Sequence, residues 1–182
     1  MIDIILQDLY RCCGDRSYKS YIKQFLRNRT FRKLFYYRKY NAAQRAGKIL
    51  CRIMYHFVSK NDSIDLPLNC SIGEGLLILH PYDIAINSGS RIGRNCTILK
   101  GVTIGNTKTG KIGAPKIGDN VYIGPNSTIV GNVKIGDNVL ISGNTFINFD
   151  VPNDSIVIGS PGVIHRKEKA SSPYIVNDIR KE

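Results

Sequence analysis

Three histidines stand in the 182-residue chain, His56, His80 and His165. An imidazole with an ordinary pKa of about 6.5 is largely unprotonated at neutral pH and can take a proton from an attacking hydroxyl. His80 lies in a repetitive stretch, residues 72–147, that holds no other histidine, so a zinc centre built from three imidazoles is excluded there and no metal is expected. Residues 105–116, Gly-Asn-Thr-Lys-Thr-Gly-Lys-Ile-Gly-Ala-Pro-Lys, form a second candidate segment, with cations on a glycine-rich loop. The five cysteines, Cys12, Cys13, Cys51, Cys70 and Cys96, are odd in number and have no CxxC spacing. Neither a disulfide framework nor a thiolate metal site follows from them, and buried free thiols are expected.

What must hold His80 is a repeat. Isoleucines fall at 72 and 78, then at 86, 92, 98 and 104, then at 117, 123, 129, 135, 141 and 147. The period is six, broken once by two extra residues and once by seven. Four positions after most of them comes a small or β-branched residue, as at Cys96, Val102, Val121, Ser127, Val133, Val139, Thr145 and Val151. A six-residue unit is too short to bury its own isoleucine, so the units must stack. The expectation is a β-helix of three short strands per coil, about 18 residues around, with the isoleucine ladder inside. Extra residues can leave such a stack only at its corners, which is where function is expected to sit. The first break spans residues 79–85 and contains His80; the second is the lysine-rich loop.

Charge and composition divide the chain near residue 60. Of the 26 Lys and Arg, 14 lie in residues 1–60 against 3 Asp and Glu, while residues 61–182 are almost balanced. Eleven of the 16 aromatics also precede residue 61. The spacing of Ile22, Phe25, Leu26, Leu34, Phe35, Ile49, Ile53 and Phe57 predicts helices there, with no proline to interrupt them. Their basic side faces water, nucleic acid or an acidic membrane surface. No helix-turn-helix, RRM or zinc-finger pattern accompanies the charge, so nucleic acid is not expected as a partner. The segment before Phe25 carries Asp3, Asp8, Arg11 and Arg16 and lacks a signal-peptide core, and no run of about 18 apolar residues occurs. A cytoplasmic location, at most at the inner face of a membrane touched by residues 1–60, is expected. The expected division is 1–60 helical, 61–167 repeat and 168–182 tail.

Several segments together carry a family resemblance. They are Ile64-Asp65-Leu66-Pro67, Ile72-Gly73-Glu74-Gly75-Leu76-Leu77-Ile78-Leu79-His80, Ile84-Ala85-Ile86, Gly101-Val102-Thr103-Ile104-Gly105, Ala114-Pro115-Lys116-Ile117-Gly118 and Gly159-Ser160-Pro161-Gly162-Val163-Ile164. Residues 61–167 thereby resemble the hexapeptide-repeat acyltransferases, in their serine acetyltransferase-like branch, which includes relatives in capsule and exopolysaccharide gene clusters. The resemblance implies a mainly β chain: a left-handed parallel β-helix behind a small N-terminal helical domain, assembled as a homotrimer with sites between prisms. It also implies acetyl-CoA as co-substrate, His80 as general base and Asp65, 15 residues earlier, as the carboxylate that orients it. By the same resemblance the pantetheine arm touches positions Asn106, Pro125 and Gly143. Lys111, Lys116, Arg166 and Lys167 are candidate partners for the CoA phosphates.

Two positions depart from the branch's serine-binding pattern. Leu79 stands where an acid precedes the catalytic histidine, and Ala114 stands where a histidine precedes Pro-Lys. A pocket without partners for an ammonium and a carboxylate binds an amino acid poorly. The expected activity is therefore O-acetylation of a saccharide hydroxyl in surface polysaccharide assembly, with L-serine as the alternative acceptor.

Overall fold

The computed structural model describes residues 2–180. Four helices come first: α1 (Ile2–Cys13), α2 (Tyr18–Arg27), α3 (Arg29–Ala42) and α4 (Arg45–Ser59). The Ser17 hydroxyl accepts from the Ser20 N–H at the start of α2, and the Asn28 side chain accepts from the Phe31 N–H at the start of α3. Each cap satisfies a backbone donor that a first helical turn leaves unpaired.

From residue 64 the chain winds into a three-faced parallel β-helix. Face A stacks β1 (Ile64–Asp65), β4 (Ile84–Ile86), β7 (Thr103–Gly105), β10 (Thr128–Val130) and β13 (Phe146–Ile147). Face B stacks β2 (Ser71–Ile72), β5 (Arg91–Ile92), β8 (Lys116–Ile117) and β11 (Lys134–Ile135). Face C stacks β3 (Leu77–Leu79), β6 (Thr97–Leu99), β9 (Tyr122–Ile123), β12 (Leu140–Ile141) and β14 (Ser155–Ile158), and closes with β15 (Val163–Arg166), which runs antiparallel to β14.

The register realises the expected period. Ile123 lies on Ile141, 18 residues apart, whereas Ile78 lies on Ile98 and Ile98 on Ile123, with 20 and 25 residues between. The surplus residues leave at corners, 80–83 and 106–115. Ile141 then lies on Val157, so the last coil is two residues short. The isoleucine ladder and the small residues four positions on are buried, except that Ile78 is half-buried. Asparagines at the corners adopt left-handed backbone, φ 59° at Asn95 and 57° at Asn120, and their side-chain amides stack. Asn95 donates to Asn120 at 2.9 Å, and Asn120 to Asn138 at 3.2 Å. At Gly93 a Cβ would lie 2.5 Å from the Gly118 carbonyl carbon, so the coils approach there as only glycine allows.

The change from helix to prism falls between Ser59 and Ile64, yet Leu34, Tyr37 and Tyr55 belong to the same hydrophobic cluster as the prism isoleucines. Asp8 and Arg38 form a buried ion pair at 2.8 Å. Asp8 also accepts from the Gly75 and Leu76 N–H groups, and Arg38 donates to the Ile72 and Gly73 carbonyls. The tail, of which 181 and 182 lie outside the described residues, returns along the prism. Ile175 is buried, the Ser171 hydroxyl donates to the Asn120 carbonyl at 2.5 Å, and Asn95 donates to Asp178 at 2.9 Å.

The inward side of α4 is not its apolar stripe. Ile49, Ile53 and Phe57 are spaced as a buried stripe but are exposed, because α4 meets the prism through its opposite side, where Tyr55 is buried and donates to the Leu66 carbonyl.

Removing one partner of the Asp8–Arg38 pair leaves a charge buried without compensation, which costs about 3–5 kcal/mol. Arg38→Ala is expected to lower unfolding stability by that amount, read as a shifted urea midpoint at unchanged slope. A loss below about 1 kcal/mol would show that the pair does not hold the helices to the prism.

Candidate active site

His80 follows β3 and opens the corner that leads from face C to face A. Its backbone is left-handed, φ 51°, as is that of Asp83, φ 53°. That conformation is uncommon outside glycine and asparagine, and it persists only where neighbours hold it. They do so here through backbone bonds. The Tyr82 N–H donates to the His80 carbonyl at 2.8 Å, the Gly101 N–H donates to the Tyr82 carbonyl at 2.9 Å, and the Asp83 N–H donates to the Ser63 hydroxyl at 3.0 Å. The two extra residues are thus tied to the coils before and after, and the imidazole is exposed.

Asp65 is exposed on β1, in a column that continues through Ala85, Thr103, Thr128 and Phe146 on face A. Ile84, four residues after His80, pairs with Ile64, so Asp65 and His80 lie at the same end of the prism. Among the described residues no hydrogen bond joins them, so the carboxylate and the imidazole share the first coil without being a closed dyad.

The other anticipated residues divide between two corners. Pro125 and Gly143 lie one coil apart on the C-to-A corner with His80, and a Cβ on Gly143 would come 3.3 Å from the Pro125 ring. Asn106 is exposed at the A-to-B corner, at the root of the 106–115 loop, which also carries Ala114. The full width of face A separates the two sets on one chain.

The cations divide as well. Lys111 is held by Asp150 at 2.8 Å, and this exposed pair lowers the pKa of Asp150. Lys116 is exposed on face B, Arg166 donates to the Asn153 carbonyl at 2.7 Å, and Lys167 is exposed at the end of β15. The structure adds two cations that sequence reasoning missed. Arg91, Lys116 and Lys134 are direct cross-strand neighbours on face B, with no acid paired to any of them among the described residues. Like charges stacked this way repel. The signal was present, since each stands immediately before a ladder isoleucine: Ile92, Ile117 and Ile135. Lys134 and Arg166 line one groove beside Val151 and Pro152, and Lys116 and Lys134 line the adjoining one. No group of three or more His, Cys, Asp or Glu that could hold a metal occurs among the described residues.

Residues 114–148 match the bacterial transferase hexapeptide family (six repeats). Serine acetyltransferase 2 of Arabidopsis thaliana is 31% identical over 168 residues, covering 90% of this chain and 52% of that protein. The chain spans about half, or less, of the length of the curated relatives it matches first. Among solved structures, soybean serine acetyltransferase complexed with serine superposes with a TM-score of 0.75 at 28% identity, covering 90% of this chain and 68% of that one. A serine acetyltransferase in complex with CoA gives a TM-score of 0.72 at 25% identity, covering the same shares.

Burial pushes the Cys96 thiol up to about 12 and Cys70 and Cys12 up to about 11. At pH 8 a thiol of pKa about 11 is ionised in about one molecule per thousand, and only the thiolate reacts. Iodoacetamide at pH 8 is therefore expected to leave Cys70 and Cys96 unmodified until the protein is denatured, as read by peptide mass spectrometry. Rapid native labelling of either would show the prism interior open to solvent.

Proposed function

We infer that this chain, which belongs to the hexapeptide-repeat proteins on their serine acetyltransferase-like branch, is an acetyl-CoA-dependent O-acetyltransferase. The observation that carries the reading is His80 itself: an exposed imidazole on the only two-residue surplus of a regular stack, pinned in left-handed backbone at the end of the prism that bears Asp65. In the step proposed, the acceptor oxygen attacks the thioester carbonyl carbon while His80 takes the hydroxyl proton. The tetrahedral intermediate then collapses with loss of the CoA thiolate, which recovers that proton from the imidazolium. Asp65 orients the imidazole in this step.

A homotrimer supplies what one prism lacks. His80, Pro125 and Gly143 lie on one corner and Asn106 and the 106–115 loop on another, so the loop corner of a second copy completes the cleft. Lys116 and Lys134 on face B, with Arg166 of β15 beside Lys134, are then the proposed partners of the CoA phosphates, relieving the repulsion within the cationic column.

The comparisons support L-serine over a saccharide as acceptor, since the relatives and structures reported above are serine acetyltransferases. The preference for a saccharide drawn from the sequence receives no support from them. A saccharide stays as a second reading on one observation: Leu79 and Ala114, both half-buried, offer no charge or side-chain hydrogen bond to an amino acid.

Thiol release from acetyl-CoA with L-serine, and separately with a panel of sugars, decides the acceptor; saturable turnover on serine establishes the first reading, and turnover on a sugar alone establishes the second. His80→Ala is expected to lower turnover at least about 10²-fold with the fold intact, and unchanged turnover would end the mechanism. Asp65→Asn should lower kcat while leaving the CoA dissociation constant near its original value. Sedimentation should give three times the 20.3 kDa chain mass. An active monomer would remove the two-corner cleft.

A further inference from the structure

Residues 16–61 contain 13 Lys and Arg and no Asp or Glu. Within that stretch α4 has one side against the rest of the protein, where Tyr55 is buried. On the opposite side Ile49, Leu50, Ile53 and Phe57 are 65%, 62%, 47% and 65% exposed. At 100° per residue these four side chains and Ala46 fall within one arc of about 100°, the width of a buried stripe on an ordinary amphipathic helix. Arg45, Arg52 and His56 border that arc on one edge, Lys60 follows at the helix end, and none of the three cations is in an ion pair among the described residues.

We propose that this outward face of α4 docks on an anionic lipid bilayer, with the apolar stripe entering the headgroup boundary and the flanking cations resting on lipid phosphates. Charge decides between occupants. A second copy meeting this face through the same stretch would bring cations against cations with no acid to separate them, whereas an anionic membrane complements every one. The geometry suits a helix lying in the interface: α4 has 15 residues, about 22 Å of helix, and apolar residues on one side with cations beside them. No helix among the described residues is long and apolar enough to cross a membrane, so the contact is peripheral. The inference stands independently of the acceptor and of the role of His80.

Co-sedimentation of the full chain with vesicles of equal parts phosphatidylcholine and phosphatidylglycerol, against vesicles of phosphatidylcholine alone, tests it. The wild-type chain is expected to partition at least about tenfold more strongly into the anionic vesicles, and less so as salt rises. Ile53→Ser/Phe57→Ser and, separately, Arg45→Glu/Arg52→Glu/Lys60→Glu should each abolish most of that partition while retaining helix content by circular dichroism. The charge variant, confined to exposed side chains, keeps the test valid if the apolar variant unfolds. Wild-type binding no stronger to anionic than to neutral vesicles would overturn the proposal. So would undiminished binding by either folded variant, or a stripe variant that sediments as a smaller assembly than the wild type, which would assign the face to a second copy of the chain.

Discussion

The first coil of a β-helix has no coil beneath it, and every backbone group along that edge needs a partner from elsewhere. Helix side chains supply them almost in sequence. Lys33 donates to the Ile64 carbonyl, Tyr55 to Leu66, Asn41 to Leu68, Tyr37 to Cys70, and Arg38 to Ile72 and Gly73; Asp8 then accepts from the Gly75 and Leu76 N–H groups. Each such group left unpaired in a buried place would cost about 1–3 kcal/mol. Arg11, which donates to the Gly75 and Val176 carbonyls and to Thr97, extends the seam to the returning tail. The helices are the floor on which the stack is laid, and the two parts share one hydrophobic cluster.

The position of His80 follows from that floor. Its corner belongs to the first coil, the one whose backbone the helices hold, and it is tied back to Ser63 and forward to the next coil at Gly101. A base that must meet a hydroxyl proton within a few tenths of an ångström gains from such double anchoring, because a parallel stack cannot shift one coil without breaking the ladder on all three faces. The larger 106–115 loop leaves from a different corner and is tied back by the Lys111 carbonyl, which accepts from the Asn132 N–H, and by the Lys111–Asp150 pair. A rigid corner bearing His80, the proposed base, and a longer loop at another corner are the two components that the proposed cleft between prisms requires.

The architecture of the prism was legible because it is written as a period: twelve isoleucines at one spacing, with the two surplus segments where the chain leaves the stack. The helical part was legible only as helices. Which face of α4 turns inward depends on Tyr55 finding the Leu66 carbonyl, a contact 11 residues away that apolar spacing cannot announce, and the periodic residues Ile49, Ile53 and Phe57 lie on the outward side. Asp8, Arg11 and Arg38 gave no sign of burial, since an ionisable residue goes inside only when distant backbone groups are ready to receive it. At the site, His80 stood out by its place at a break, whereas the column of Arg91, Lys116 and Lys134 emerged once register placed three separate coils side by side. The acceptor preference read from Leu79 and Ala114 rested on what two side chains lack, and missing groups define a ligand far less well than groups that are present.

The turn that sends β15 back along β14 sets a length. Every earlier strand of the prism offers its outer edge in the parallel sense, so any further hexad in the sequence would add another coil by the same rules. The antiparallel Val163–Arg166 strand covers the last parallel edge of face C, and Arg166 fastens it with a bond to the Asn153 carbonyl. Stacked parallel edges are also templates on which separate chains polymerise. With helix side chains sealing one end and a reversed strand the other, the prism is a rod of defined extent, and any ligand that lies along it is measured against a ruler of fixed size.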